Sequence, residues 1–244
     1  AYKINSNGIN LQNINKNERE LKRSMNTLNG YMRHKKINLP LRTKIRNFLE
    51  YIWYEEQYEN EEAASEVINK LSRSLKDELL LNANGVILKN FSLFHKNFSE
   101  ESLRKLVGVM KEIKFIPGDI IYRQTELQDP SLYLIKKGKV EIFVKTSDHH
   151  ETLLETLRKG DHFGSISFFS NQPRETSARS AGFTSVYAIK RQSFIEILAE
   201  EEEDYQCFCR IKDQIVLYND FKGLFLRCLS CKEDSHPTIS CPFL

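Results

Sequence analysis

Near Lys114 the hydrophobic period of this 244-residue chain changes, and that switch limits the folds open to it. Upstream, apolar residues recur at three- and four-residue spacings, the mark of helices with one buried face. Downstream they come in short β-like runs at 113–116, 120–123, 131–136, 139–145, 152–157 and 184–190. Pro117-Gly118, Asp129-Pro130, Lys137-Gly138 and Lys159-Gly160-Asp161 cut these runs apart, because Gly and Pro supply turn conformations that a strand interior rejects. Several short strands at such spacing predict an antiparallel sandwich or barrel.

Helices flank the β-rich stretch. Leu21, Met25, Leu28 and Met32 form one stripe. Asn38 and Pro40 start a second helix, since Asn caps and Pro tolerates the first turn; Leu41, Ile45, Phe48, Leu49 and Ile52 are its apolar face. Val67, Ile68, Leu71 and Leu75 predict a third. Ser99 before Glu100 and Glu101 starts another, with Leu103, Leu106, Val107 and Met110 inward. One long last helix is expected from Ser193 to Tyr218, holding Phe194, Phe208, Ile211 and Ile215. The fold class is therefore α+β.

Charge and cysteine usage narrow the function. The net charge is only +3, too small to announce a nucleic-acid partner. It is unevenly spread: eleven Lys/Arg stand against three Glu in residues 1–50, and acidic clusters follow at Glu55 to Glu62 and at Glu200 to Asp204. Such clusters are read either as solvated helix faces or as complementary surfaces between copies of the chain. No apolar run approaches the roughly 18 residues of a membrane-spanning helix, and a start at Ala1 suggests a piece of a longer protein whose membrane part lies elsewhere. All five Cys follow residue 206, which points to a reducing compartment. Cys228, Cys231, His236 and Cys241 have the spacing of a zinc knuckle, three thiolates and one imidazole, the donor set of a structural zinc site. The other reading is unrelated reduced thiols. The stacking aromatic of nucleic-acid-binding knuckles is missing: Leu229 follows the first Cys. No catalytic triad order, paired-carboxylate arrangement or triphosphate loop is recognisable, so the chain is read as no enzyme.

The informative stretch is Phe163-Gly164-Ser165-Ile166-Ser167-Phe168 followed by Pro173-Arg174-Glu175-Thr176. A Gly and small residues opening a short helix offer backbone N–H groups to an anion, and an Arg ten residues on completes a phosphate clamp. Together with Leu132-Tyr133-Leu134-Ile135, Gly138-Lys139-Val140-Glu141-Ile142 and Gly160-Asp161-His162-Phe163, this order closely resembles the cyclic-nucleotide-binding domain. Upstream, Asn29 to Arg33, Lys35 to Asn38 and Arg46 to Trp53 look like the C-linker of cyclic-nucleotide-regulated and ether-a-go-go-type voltage-gated cation channels.

The resemblance implies four parts: a polar linker over 1–15, a helical C-linker over 16–95, an antiparallel jelly-roll-like β-roll with a C-terminal lid helix over 96–218, and a tail over 219–244 carrying the knuckle. It implies a regulatory and gating module of a tetrameric, potassium-conducting channel, at the cytoplasmic face of a membrane, with the membrane domain upstream. A soluble cyclic-nucleotide receptor or scaffold that reuses the domain is the alternative. Gly164, Ser167 and Arg174 match the cassette that holds cyclic AMP or cyclic GMP, and Ile211 and Ile215 match a lid over the base. Ser165 stands where binding members carry a ribose-holding Glu, and Glu175 puts a carboxylate beside the phosphate position. The pocket is therefore expected to be weak or ligand-free, with residues 221–226 as a built-in occupant; ordinary nucleotide binding is the other reading.

Overall fold

The computed structural model describes residues 22–59, 67–72, 75, 76, 78, 79, 88, 91–127, 130–145, 150–218, 220, 228, 230–233, 236, 238 and 241–243. The chain divides into two compact units, Ala1–Lys70 and Leu71–Leu244. Residues 1–15, Leu21, residues 221–226 and the acidic pair Glu61 and Glu62 lie outside the described residues.

In the first unit, helix α1 covers residues 22–34 and α2 spans Leu39–Glu59. The Asn38 side chain accepts the Leu41 N–H at 3.0 Å, so the expected cap forms, and Pro40 sits in the first turn where its missing N–H is harmless. Arg46 Nη2 donates to Asn29 Oδ1 at 3.1 Å and ties α2 to α1. Met32 is buried, whereas Tyr31, Leu39 and Leu41 are 59%, 66% and 44% exposed. The stretch from Val67 to Leu75 is not one helix as expected. Residues 67–69 are helical, the chain leaves the helix by Ser72, and Ser72 Oγ accepts the Leu75 N–H at 3.3 Å to open a new turn. A Ser that competes for backbone donors ends one helix and caps the next.

The second unit is built on two four-stranded antiparallel sheets. Helices α3 (Ser92–Asn97) and α4 (Glu100–Val109) lead into strands β1 (Lys111–Phe115), β2 (Ile120–Tyr122), β3 (Leu132–Lys137), β4 (Lys139–Lys145), β5 (Glu151–Arg158) and β6 (His162–Phe163). Helix α5 (Ser165–Ser170), strands β7 (Ser177–Ser180) and β8 (Thr184–Ile189), and helices α6 (Arg191–Leu198) and α7 (Glu202–Val216) complete it. One sheet has the order β1-β8-β3-β6 and the other β2-β7-β4-β5. The turn that carries the chain from β3 in one sheet to β4 in the other is built on Gly138 at φ 91°, where a Cβ would stand 2.4 Å from the Phe183 carbonyl oxygen, so only Gly fits.

Between the sheets lies a core of Tyr122, Ile135, Val140, Ile142, Leu157, Phe163, Ala178 and Val186. A larger core joins the helices to the roll. Phe94 packs within 6.4 Å, ring to ring, of Phe98, Phe168, Phe169 and Phe194, and Phe169 meets Phe208 of α7 at 6.0 Å.

Strands β6 and β7, which lie outside the expected apolar runs, and a break in the last helix depart from the expectation for this unit. β7 reads Ser-Ala-Arg-Ser, with no apolar alternation, yet it sits between β2 and β4 with Ser177, Ala178 and Ser180 buried. Small side chains let the sheets approach there, and pairing rather than hydrophobic pattern makes the strand. The single last helix is two. Phe194 and Phe208 would be separated by about 21 Å along a straight helix, but their rings lie 6.0 Å apart. The chain turns at residues 199–201, where the Glu201 N–H reaches the Leu198 carbonyl at 3.0 Å. Burying both rings in one core selects the bend over the continuous helix.

Candidate functional site

Gly164 ends β6 and opens α5 in the left-handed region, φ 85°, ψ 11°. A Cβ there would lie 2.6 Å from Arg174 Nη1 and 3.0 Å from the Ser131 carbonyl oxygen, so the Gly is required by close approach as well as by its dihedrals. The guanidinium of Arg174, 4% exposed, fills that approach. Nη1 donates to the Gly164 carbonyl at 2.9 Å, Nη2 to the Ser131 carbonyl at 2.7 Å, and the group lies 4.3 Å from the Tyr122 ring. Stacking on a desolvated ring and charge-assisted bonds to two carbonyls hold the cation in one orientation. Burial raises the Tyr122 phenol above its ordinary range, with the Arg174 charge opposing.

These residues border a cavity of about 380 Å³, within the range of about 300–1,000 Å³ typical of small-molecule sites. Gly164, Ser165, Ser167, Arg174 and Glu175 all line it, so the structure brings together five of the sequence-selected residues. Ser165 and Ser167 are buried on α5. Ile211 and Ile215 are placed elsewhere: both are buried on the inner face of α7 in the core shared with Phe168, Phe169 and Phe208, away from the cavity wall. Gln124 works structurally. Its N–H donates to Ser177 Oγ at 2.9 Å and its side-chain oxygen accepts the Lys145 N–H at 2.9 Å, joining β2, β7 and β4.

The sequence alone did not single out Tyr122, Glu155, Asp161, His162 or Thr238, which also line the cavity. Tyr122 has a signal in retrospect, an aromatic at the end of a strand paired with β7, which follows Arg174. Thr238 has none, because its place depends on where the tail folds. Electrostatically, one guanidinium shares the lining with the carboxylates of Glu155, Asp161 and Glu175. His162 stacks on Phe91 at 3.9 Å, and burial there holds its imidazole down at about 4, with Asp161 opposing, so it adds no positive charge at pH 7.

The tail forms a second constellation. The ligand atoms of Cys228, Cys231, His236 and Cys241 all lie within 4.8 Å of one another, and Cys231 Sγ is 3.3 Å from His236 Nε2. Zinc bond lengths of about 2.0–2.3 Å place the edges of a tetrahedral Cys3His site at roughly 3.5–3.8 Å, so the donors need close by only about an ångström. Cys228 and Cys241 are buried, and the cysteines are free thiols rather than disulfides. The turn is built by Lys232 in the left-handed region, φ 69°, and by the Lys232 N–H on the Cys228 carbonyl at 2.9 Å. Cys207 and Cys209 stay outside the cluster, on α7, packed against the larger core.

Among known proteins, residues 112–201 match the family model of the cyclic nucleotide-binding domain. Cyclic nucleotide-gated channel alpha-3 of Homo sapiens is 25% identical over 202 residues, covering 80% of this chain and 28% of its own. The cyclic nucleotide-gated channel cone photoreceptor subunit alpha of Gallus gallus is 26% identical over 202 residues, 80% of this chain and 26% of its own. The cyclic nucleotide-gated cation channel of Ictalurus punctatus is 25% identical over 199 residues, 79% and 28%. The chain thus spans about a quarter of the length of the relatives it matches. Residues 112–201 form a cyclic nucleotide-binding domain of the kind found in cyclic-nucleotide-regulated channels, with the α+β architecture of that domain. No helix among the described residues is long and apolar enough to cross a membrane.

Proposed function

We propose that this chain is the cytoplasmic regulatory module of a tetrameric, potassium-conducting cation channel whose membrane domain lies upstream in the same protein. The observation that carries the reading is the extent of the likeness. A match confined to residues 112–201 would suit any protein that reuses the binding domain. The alignment to the channels covers 80% of the chain, more than the whole of residues 71–244, so it runs into the helical first unit, which a soluble receptor has no use for. On this reading residues 16–95 are the linker to the pore, 96–218 the sensing domain and 219–244 a tail. The C-linker resemblance, shared with ether-a-go-go-type channels, supports potassium, and the exposed Tyr31, Leu39 and Leu41 are the contacts to neighbouring copies in a symmetric ring. The tail donors are assigned to one structural zinc.

The pocket is assigned a weak affinity for cyclic AMP and cyclic GMP. The carboxylates of Asp161 and Glu175 on its lining work against a phosphate diester that one guanidinium attracts, and the Ser165 hydroxyl is too short to replace a carboxylate that reaches the ribose. Calorimetry on the natural chain is expected to give a dissociation constant of roughly millimolar or weaker, and the double change Ser165→Glu with Glu175→Thr to tighten it by about tenfold to a hundredfold. Micromolar binding by the natural chain overturns the weak pocket. The channel reading is tested separately, by recording currents from membranes that carry the full-length protein: potassium-selective current sensitive to changes in residues 22–59 is expected, and absence of any current from a correctly surfaced protein counts against it.

A further inference from the structure

The metal cluster and the ligand cavity share a wall. Thr238 lines the cavity together with Gly164, Ser165 and Arg174, yet it lies only two residues after His236 and is 2% exposed. Its carbonyl accepts the N–H of Cys241 at 3.2 Å, so a second ligand residue is bonded directly to it. On the other side, Lys232 follows the ligand Cys231 and its Nζ pairs with Glu155 Oε2 at 2.7 Å; Glu155 stands on β5 and lines the same cavity. The tail therefore reaches the wall at two places, each within two residues of a metal ligand.

Neither hydrophobic core contains a residue beyond Ile215 among those described, and the Lys232 to Glu155 pair is half exposed on the lysine side, where such pairs contribute about 0–1 kcal/mol. A Cys3His zinc ties such a segment down, because its binding free energy is folding free energy for the segment it closes.

From this geometry we infer that zinc on Cys228, Cys231, His236 and Cys241 completes the wall of the nucleotide cavity by seating Thr238 and Lys232, so that metal and ligand occupancy are positively coupled. The inference rests on the zinc assignment above and adds its consequence. By linkage, the zinc-loaded chain binds a cyclic nucleotide more tightly than the zinc-free chain, and nucleotide tightens zinc binding by the same factor. Loss of the metal frees the tail, opens the cavity beside Arg174 and admits water to the phosphate end, where charge-assisted contacts then weaken.

The test uses the whole chain under reducing conditions. Metal analysis is expected to find one zinc per chain, removed by chelation and absent from Cys231→Ser. Hydrogen exchange is then followed at β5 and α5 in loaded, chelated and zinc-restored protein, alongside the affinity for a fluorescent cyclic AMP analogue. Chelation should speed exchange at Glu155 to Leu157 and Ser165 to Ser167 and weaken the analogue by about fivefold or more, with zinc, not magnesium, reversing both. Thr238→Gly should retain zinc and reproduce the loosened exchange. Absence of zinc from correctly folded protein overturns the assignment and the inference together. Stoichiometric zinc with unchanged exchange and affinity on chelation overturns the inference alone, and the exchange readout decides it even where the analogue binds too weakly to measure.

Discussion

His162 shows how a single side chain carries information that its neighbours in sequence do not. Buried against Phe91 beside the cavity, it stays neutral until about pH 4, whereas in the unfolded chain it takes up a proton near its ordinary 6.5. Below 6.5 the unfolded state binds the extra proton and the folded state does not. Stability therefore falls as the pH drops from 6.5 towards 4 and is untouched above that window. At about 1.36 kcal/mol per unit the full effect amounts to roughly 3 kcal/mol at most. Denaturant melts at pH 7 and pH 4.5 are expected to differ less in His162→Gln than in the natural chain, because carboxylate contributions are common to both; equal differences would place the imidazole in contact with water. The neighbouring Arg174 belongs to the same scale. Its carbonyl bonds and its place over Tyr122 give it a structural role whether or not a phosphate ever arrives.

Among the elements, α4 and α7 are joined by one side chain. Asp204 belongs to an acidic run that looks like a solvated face, yet it is 6% exposed. Its carboxylate accepts from the Ser99 N–H at 3.0 Å and from the Ser99 hydroxyl at 2.6 Å, while Ser99 Oγ accepts the Ser102 N–H and caps α4. Two elements distant in sequence thus share a single cap, and Asp204 in the first turn of α7 also faces the positive end of its own helix. Asp204→Ala is expected to lower stability by about 1.5–3 kcal/mol, the worth of bonds to a charged acceptor. Exposed Glu200, paired with Lys105 at 2.9 Å, is the contrast: Glu200→Ala should change stability by less than about 1 kcal/mol. Thermal unfolding of the two variants side by side checks both.

At the scale of the whole molecule, the proposed function has the exposed Tyr31, Leu39 and Leu41 of the first unit meet neighbouring copies in a symmetric ring. Sedimentation at increasing concentration is expected to show association up to a tetramer, and Leu39→Glu with Leu41→Glu should return the protein to monomer without changing the unfolding of residues 71–244. A natural chain that stays monomeric at high concentration, or a charged variant that still associates, would remove α2 from the interface.

The residues by themselves determined the helical start, the cap at Asn38, six of the eight strands and the turns that separate them. Those features depend on local rules, such as the dihedrals of Gly138 or the period of Leu132 to Ile135, which neighbours in sequence already express. The five cassette residues from Gly164 to Glu175 were legible for the same reason, being close along the chain. What tertiary structure decided was everything that depends on a distant partner. Strand β7 exists because β2 and β4 offer it bonds, the last helix bends because Phe194 and Phe208 enter one core, and Asp204 is buried because Ser99 awaits it. Thr238 lines the cavity through the fold of the tail, since no pattern near residue 238 points to a wall so far upstream. Propensity and period act over a turn or a strand, whereas burial and hydrogen-bond satisfaction act across the fold, and where the two conflict the buried contacts prevail because their free energy is the larger.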